Sequence, residues 1–349
     1  MTTVQTAAKA PPHTGLAAGH ATRALWLLAA LAALAAATAL SLMVGAKAIS
    51  PAVIADALFA GGTGNDAAIL HELRVPRTIL AVLVGVALGL SGAMIQALTR
   101  NPLADPGILG VNAGAAVAVV IGVAVFEVTS IREYLWFGFA GAVVVTVIVY
   151  VVGSRGRGGA TPLRLTLAGL AIGAVAQGVS SGITLLNPKA FDAMRFWGAG
   201  NIANRPAETI LTVLPFIAAG TVLALVAARS LNATALGDDL ARSLGAHVGR
   251  TRVIVVVAVT LLCGAATAAA GPIGFVGLMV PHVVRWLVGP DQRWILPFTL
   301  VTAPILLLLS DVLGRVVLPG GELQVGIVTA FVGAPVLVWL VRRSGASGL

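Results

Sequence analysis

Long apolar runs alternate with short polar segments along most of this 349-residue chain. An α-helix rises about 1.5 Å per residue, so roughly twenty apolar residues cross the hydrocarbon core of a bilayer. The runs have about that length, and they predict an all-α polytopic membrane protein with about ten transmembrane helices. The predicted spans cover residues 24–44, 76–98, 107–126, 134–152, 165–186, 208–228, 253–270, 275–288, 296–313 and 324–341.

The composition also favours a lipid environment, because 58% of the residues are hydrophobic and only 10% are charged. A soluble protein of this length needs a polar outer layer, which this chain cannot supply. A transmembrane β-barrel would show alternating segments of about ten residues, whereas these runs are unbroken. The abundant Ala and Gly are typical of membrane helices that pack closely.

The formal net charge of +9 comes from basic residues in short loops. If both termini are cytoplasmic, 14 of the 22 Lys and Arg residues lie inside and 8 lie outside. This bias indicates membrane orientation rather than nucleic-acid binding. We divide the chain into a disordered cytoplasmic tail (1–22), a transmembrane domain (23–343) and a C-terminal tail (344–349).

The stretch "RNPLADPGILG" (100–110) is a polar break between two apolar runs. Asn101 can cap, and the two prolines prevent the preceding helix from continuing. Pro106 followed by Gly107 suits the first turn of the next helix. We expect a rigid elbow on the inner side. The alternative is that Asn101 or Asp105 contacts a transported substrate.

The loop 229–252, "RSLNATALGDDLARSLGAHVGRTR", contains a short amphipathic pattern. Thr234 can cap a helix in which Leu236, Leu240 and Leu244 fall at helical spacing. An apolar stripe outside the membrane has to pack on something. It packs either on the protein's own inner surface or in the groove of a partner protein.

The sequence contains no motif typical of nucleotide binding, metal binding or nucleophilic catalysis. The chain has no G-x-x-x-x-G-K-[ST] phosphate loop, no His and carboxylate cluster with metal spacing and no G-x-S-x-G elbow. The single cysteine, Cys263, lies in an apolar run and is interpreted as a buried hydrophobic residue. We therefore predict no enzymatic activity, no metal site and no bound cofactor.

A few polar residues fall inside the predicted spans. Asp311 and Arg315 are four residues apart on one helix face and can pair. Gln96, Asn112 and Gln177 are neutral, and they either bond helices together or line a transport path. A proton-coupled transporter would place acidic or His residues there, so their neutrality favours an external energy source.

Three long stretches resemble the FecCD family, the permeases for iron-siderophores, haem and cobalamin in bacterial ABC importers. They are "RVPRTILAVLVGVALGLSGAMIQALTRNPLADPGILGVNAGA" (74–115), "GPIGFVGLMVPHVVRWLVGPDQRWILP" (271–297) and "LSDVLGRVVLPGGELQVGIVTAFVGAPVLVWLVRR" (309–343). The similarity covers about residues 25–343, in the same order and with matching loop sizes.

The resemblance implies a type II ABC importer permease-like bundle in the bacterial cytoplasmic (inner) membrane. It also implies a second permease subunit, identical or paralogous, two ATP-binding subunits beneath the pair, and a periplasmic or lipid-anchored substrate-binding protein outside. ATP would then be hydrolysed by a partner subunit, which accounts for the missing phosphate loop. The transport path would open alternately to the two sides of the membrane.

The resemblance further assigns roles by position. Arg74, Arg77 and Arg315 match the residues that dock the binding protein through its carboxylates. Thr161 and Pro162 match the inner gate, although the family has a small hydroxyl residue where this chain has Pro162.

The loop 229–252 matches the coupling helices of the family. The residues expected to contact the ATPase are Leu236, Gly237, Leu244 and Gly245.

Four functional hypotheses remain open from the sequence. Import of a ferric siderophore comes first because it is the commonest role in the family. The same machinery could carry haem or cobalamin. An ion-coupled secondary transporter would work without an ATPase and respond to a protonophore. An intramembrane enzyme is the fourth.

Overall fold

The computed structural model describes residues 16–17, 19–155, 160–318 and 320–344. Within these ranges the chain is helical, and no strand occurs. A π-helical turn (Ile69–Arg74) leads into the fourth helix and a 3-10 turn (Pro106–Leu109) precedes the fifth. The α-helices are α1 (His20–Met43), α2 (Pro51–Phe59), α3 (Asn65–Ala68), α4 (Val75–Thr99), α5 (Val111–Phe126), α6 (Ile131–Ser154), α7 (Pro162–Leu186), α8 (Pro188–Trp197), α9 (Ala207–Ala235), α10 (Asp238–Ser243), α11 (Val248–Ala270), α12 (Val276–Val288), α13 (Gln292–Val316) and α14 (Val325–Ser344).

Each of the ten predicted spans corresponds to one helix. In the described part of the chain, 7 helical stretches are long and apolar enough to cross a membrane, namely α1, the stretch from α3 through α4, α6, α7, α9, α11 and α13. Helices α5, α12 and α14 supply the three shorter apolar segments. The prediction of an all-α polytopic membrane protein is confirmed.

Several helix ends differ from the predicted ones by four residues or more, and the start of α5 and the end of α9 are two examples. Helix α5 starts at Val111 rather than at residue 107, because Gly110 takes a left-handed conformation (φ 76°) that separates the 3-10 turn from the helix. Helix α9 continues to Ala235, past residue 228, and its extension packs against α10 and α11. Most of the predicted tail 1–22 lies outside the described residues, although residues 20–22 belong to α1, and the tail 344–349 lies outside except for Ser344.

Three connections between spans contain short helices. Helices α2 and α8 were not predicted, and α10 begins later than predicted. Ser50 caps α2 by accepting from Val53 N at 3.5 Å, and Asn187 caps α8 by accepting from Ala190 N at 3.0 Å. Both helices are half the length of a span or less, so a search for apolar runs of about twenty residues passes over them. Helix α10 lies within the predicted coupling loop 229–252, but it begins at Asp238 after Gly237 and not next to Thr234.

Helix α4 lies at the centre of the bundle. It packs against α9, α11, α12 and α13, and 78% of its most apolar window is buried. By contrast, only 11% of the corresponding window of α1 or α7 is buried. Within this single chain, α1 and α7 therefore present most of their surface to lipid, to water or to another subunit.

Helices α4 and α12 come very close together at two glycines. A Cβ atom built on Gly92 would lie 1.7 Å from the carbonyl oxygen of Gly277. Only glycine allows two backbones to come this close, which is the usual reason for small residues at membrane helix interfaces. The close helix packing that the abundant Gly residues indicate is confirmed at this crossing.

Hydrogen bonds and ring contacts show which helix ends lie together. Leu16 N donates to Trp286 O at 3.2 Å, and Trp286 stacks edge-to-face on Trp339 of α14. Asn232, near the end of α9, donates to Asp291 at the start of α13 at 2.6 Å. We call the end of the bundle where these contacts lie the α10 end. The opposite end contains α2 and α8, and we call it the α2 end.

Asp291 shows how the α10 end is held together. Burial by itself raises the pKa of its carboxyl, but hydrogen bonds from Arg293 and Asn232 outweigh burial and lower the pKa to about 2. The ionised carboxylate caps α13 through Arg293 N at 2.9 Å and ties α9 to α13.

Candidate functional site

Three arginines singled out in the sequence meet at the α2 end, and two of them are buried. Arg315 donates from Nη1 to Ser41 O at 2.7 Å and to Val44 O at 3.0 Å, and from Nη2 to the Asp311 carboxylate. Arg74 donates to Leu42 O at 2.6 Å and to Lys47 O. These two guanidinium groups therefore hold the end of α1 against α4 and α13.

The third arginine, Arg77, lies between two carboxylates. Its Nε and Nη2 donate to Asp311, with the Nη2–Oδ1 distance 2.8 Å, and its Nη1 donates to Glu322 Oε2 at 2.8 Å. The Asp311 side chain is 1% exposed, whereas that of Glu322 is 41% exposed. The predicted pairing of Asp311 with Arg315 is confirmed, and Asp311 is shared between two arginines.

A leucine face is exposed at the α10 end. Leu236, Leu240 and Leu244 are 60%, 49% and 62% exposed, so in this chain the stripe does not pack on the protein's own surface. Gly237 (φ 108°) and Gly245 (φ 82°) bound α10 in conformations that disfavour other residues. The prediction that Thr234 caps this helix is wrong, because Thr234 is buried in the last turn of α9 and donates to Leu231 O.

Asp238, the first residue of α10, connects the leucine face to two membrane helices. Its Oδ1 accepts from Arg100 Nη2 at 2.6 Å, and its Oδ2 accepts from Arg252 in α11. Arg100 follows the end of α4 and also donates from Nε to Thr234 O at 3.0 Å. These hydrogen bonds connect α10 to α11 and to the end of α4.

A cleft of about 590 Å³ lies beside this ion-pair network. The predicted gate residues line it, and Thr161 caps α7 by accepting from Arg164 N at 3.4 Å while Pro162 fills the first helical position. Leu236 and Gly237, two of the residues predicted to contact the ATPase, line the same cleft. The structure therefore brings together two sets of residues that lie far apart in the sequence.

Two of the three neutral polar residues bond helices to each other. Gln96 is buried, and its Nε2 donates to Leu278 O at 3.0 Å in α12. Asn112 Oδ1 accepts from Thr267 Oγ1 at 2.8 Å, which joins α5 to α11.

Gln177 is different, because it is exposed on α7 and reaches only Ser181, at 3.5 Å, on its own helix. Exposure of these polar groups is unusual for a helix surrounded by lipid. Of the three pathway candidates, Gln177 is the one that faces out of this chain.

The "RNPLADPGILG" segment forms the expected elbow at the α10 end. Asn101 Oδ1 accepts from Leu103 N at 2.9 Å, and Asp105 Oδ1 accepts from Gly107 N at 2.7 Å. Burial raises the pKa of the Asp105 carboxyl, and the Gly107 N–H opposes that shift. These local hydrogen bonds support the structural interpretation of both side chains.

Some functional candidates were missed in the sequence. Asp238 and Glu322 are acidic residues in polar loops, and no local pattern relates them to arginines 138 and 245 residues away. Among the described residues, no group of three His, Cys, Asp or Glu side chains could hold a metal ion.

Comparison with known proteins gives a consistent result. The FecCD transport family matches residues 33–343. The ferric enterobactin transport system permease protein FepD of Escherichia coli (strain K12) is 51% identical over 328 residues, which cover 94% of this chain and 98% of FepD. The Fe(3+)-citrate import system permease protein YfmD of Bacillus subtilis (strain 168) is 40% identical over 87% of this chain and 90% of its own.

Solved structures include a similar bundle. A structure described as an inward-facing conformation of a metal-chelate type ABC transporter superposes with a TM-score of 0.81 at 25% identity. The match covers 92% of this chain and 99% of that chain.

Proposed function

This chain belongs to the FecCD transport family, and we propose that it is the permease subunit through which an ABC importer moves a ferric siderophore into the cell. Two separate ATPase subunits supply the energy, and the path opens alternately to the two sides of the membrane. The chain itself performs no covalent chemistry and binds no nucleotide.

The exposed leucine face is the observation that carries this proposal. Three large exposed apolar side chains, one on the short helix α10 and one beside each of its ends, are unfavourable in water, and they suit a groove on a partner protein. The ATPase is that partner, and its contacts are Leu236 and Leu244 together with the open backbone at Gly237 and Gly245.

The orientation follows from the same contact. The ATPase works in the cytoplasm, so the α10 end is cytoplasmic, and both the start of α1 and the last third of α14 lie on that side. The basic-residue bias of the sequence supports the same topology. The α2 end then faces outward, where a substrate-binding protein docks.

A second permease subunit, identical or paralogous, completes the path. Helix α7 is the least apolar of the seven long stretches in the described residues, and its free face carries Gln177, Gly178, Ser181 and Gly182. Such a surface fits a polar path between two subunits better than it fits lipid. We assign Gln177 to this path, and Thr161 and Pro162 to its cytoplasmic gate.

The named relatives decide which cargo to test first. FepD, the relative at 51% identity, is a ferric enterobactin permease by name. We therefore propose ferric enterobactin or a closely similar ferric siderophore as the cargo, ahead of ferric citrate. Haem and cobalamin are the alternatives for the same machinery.

Reconstitution tests the function directly. The chain is placed in proteoliposomes with the ATPase and the binding protein of its own organism, and uptake of ferric enterobactin, ferric citrate, haem and cobalamin is measured. We expect ATP-dependent uptake of the ferric siderophore, insensitive to a protonophore. Uphill uptake by the chain alone, or uptake abolished by the protonophore, would show a secondary transporter instead.

Replacing Asp238 with Asn tests the transmission of movement from α10. The neutral amide accepts weaker hydrogen bonds from Arg100 and Arg252. The Arg252 side chain is only 8% exposed, and its positive charge is no longer balanced by the Asp238 carboxylate. We expect ATP-driven uptake to fall roughly 10-fold, while the ATPase remains bound through the unchanged leucine face. Uptake and co-purification of the ATPase are measured together.

Asp239→Asn is the matched control. Asp239 is the adjacent residue of the same helix, is fully exposed and pairs only with Arg242 at the surface. It should transport like the unmodified chain. Equal losses in the two variants would mean that negative charge on α10, rather than the link to α4 and α11, is what matters.

A further inference from the structure

Of the three arginines expected to dock the binding protein, only Arg77 contacts an exposed side chain. Arg74 and Arg315 are each 6% exposed, and they donate to main-chain carbonyls at the end of α1. Pairing either one with an external carboxylate would require breaking those bonds. The direct contact with a partner therefore falls to Arg77.

The two edges of the Arg77 guanidinium are held very differently. Nε and Nη2 face Asp311, which is 1% exposed and also pairs with Arg315. Removing one partner from a buried ion pair is strongly unfavourable, so this edge is fixed. The remaining nitrogen, Nη1, contacts only Glu322 at 2.8 Å, and that side chain is 41% exposed. An ion pair with such an exposed partner is weak and easily exchanged.

Glu322 lies in the short connection between α13 and α14. The connection is anchored beside it by Leu323 N, which donates to Gly314 O at 2.9 Å. Gly314 lies one position before Arg315, and a Cβ atom there would be 2.5 Å from Leu323 O. The backbone thus holds Glu322 in place, and its carboxylate occupies the outward edge of Arg77.

We propose that Glu322 occupies the position that a carboxylate of the substrate-binding protein takes when it docks. The incoming carboxylate displaces Glu322 from Nη1 of Arg77, and Glu322 turns into water. The number of ion pairs at Arg77 is unchanged by this exchange, so docking leaves no buried charge unpaired. The partner surface at this point is acidic, and Glu322 competes with it. This inference rests on the proposed function.

If Glu322 competes for Arg77, removing its charge should strengthen docking of the binding protein. With Glu322→Gln in the full chain, assembled with its ATPase in nanodiscs, we expect the binding protein to associate roughly 2- to 5-fold more tightly. Affinity is measured by surface-immobilised binding at two salt concentrations. The added tightness should shrink at high salt, because screening weakens the competing pair already.

Glu208→Gln is the matched control for net charge. Glu208 starts α9 at the same end of the bundle, is 64% exposed and lies 3.7 Å from Arg132. The Glu208→Gln substitution also removes one negative charge from the α2 end, and Glu208 does not contact Arg77. General electrostatic attraction would affect both variants equally, whereas the exchange requires a larger gain for Glu322→Gln.

The outcomes separate the two levels of the proposal. If the unmodified assembly imports ferric siderophore and Glu322→Gln binds the partner no better than Glu208→Gln, the exchange is wrong and the function stands. If Glu322→Gln weakens docking, Glu322 itself contacts the partner and the exchange is again wrong. If the unmodified assembly neither docks a binding protein nor imports, the proposed function fails and the exchange falls with it.

Discussion

Gly92→Ala is expected to prevent stable folding of this permease. The added Cβ would lie 1.7 Å from the carbonyl oxygen of Gly277 and 2.5 Å from its Cα, so two backbones rather than two side chains would collide. Relief requires α4 and α12 to move apart, and that movement also stretches the hydrogen bonds from Gln96 to α12. We expect a loss of about 3 kcal/mol or more, the upper part of the range for overpacking.

The measurement is the amount of chain recovered from membranes and its thermal stability in detergent. Gly182→Ala is the control, because Gly182 also lies within a long membrane helix but has no atom within 4 Å of its Cβ position. That variant should accumulate normally and be at least as stable. Normal yield and stability of Gly92→Ala would mean that α4 and α12 lie too far apart for Gly92 and Gly277 to be in backbone contact.

Leu244→Asp is expected to abolish ATP-driven uptake by detaching the ATPase. Leu244 is 62% exposed at the end of α10, so the substitution is tolerated by the isolated chain. In the complex, however, the carboxylate would be buried in an apolar groove without a partner. We expect the ATPase to bind more than roughly 10-fold more weakly, as measured by co-purification and by titration of the ATPase on nanodiscs.

Leu244→Met is the companion variant, since it keeps the apolar volume without adding charge. It should bind the ATPase and transport close to the level of the unmodified chain. Unchanged ATPase binding by Leu244→Asp would remove Leu244 from the coupling surface. Loss of uptake with binding retained would instead point to the ion pairs at Asp238 as the critical link.

The two ends of the bundle use arginine in different ways. At the α10 end, Asp238 joins Arg100 to Arg252 and connects α10 to two membrane helices. At the α2 end, Asp311 joins Arg77 to Arg315 and leaves one edge of Arg77 to Glu322. Each carboxylate distributes one negative charge over two helices. The helices are thereby held in register where external subunits are proposed to act.

Much of the architecture was predictable from the sequence because its causes are local. A span needs about twenty apolar residues in succession, and the ten runs supplied them. The leucine spacing around α10 and the pairing of Asp311 with Arg315 depend on helical periodicity, which is also local. The sequence alone therefore determined the class of protein, the ten apolar helices and the leucine spacing of the surface that we propose for the ATPase.

Tertiary structure alone decided which charged and polar groups meet. Arg77 and Asp311 are 234 residues apart, and Arg100 and Asp238 are 138 apart. No periodic pattern relates such positions, because their contact depends on how α1, α4, α11 and α13 pack. The same packing buried Arg74, Arg315 and Gln96 while leaving Gln177 exposed. Hydropathy predicts whether a segment enters the membrane. The packing of neighbouring helices decides whether a given side chain on that segment is buried or exposed.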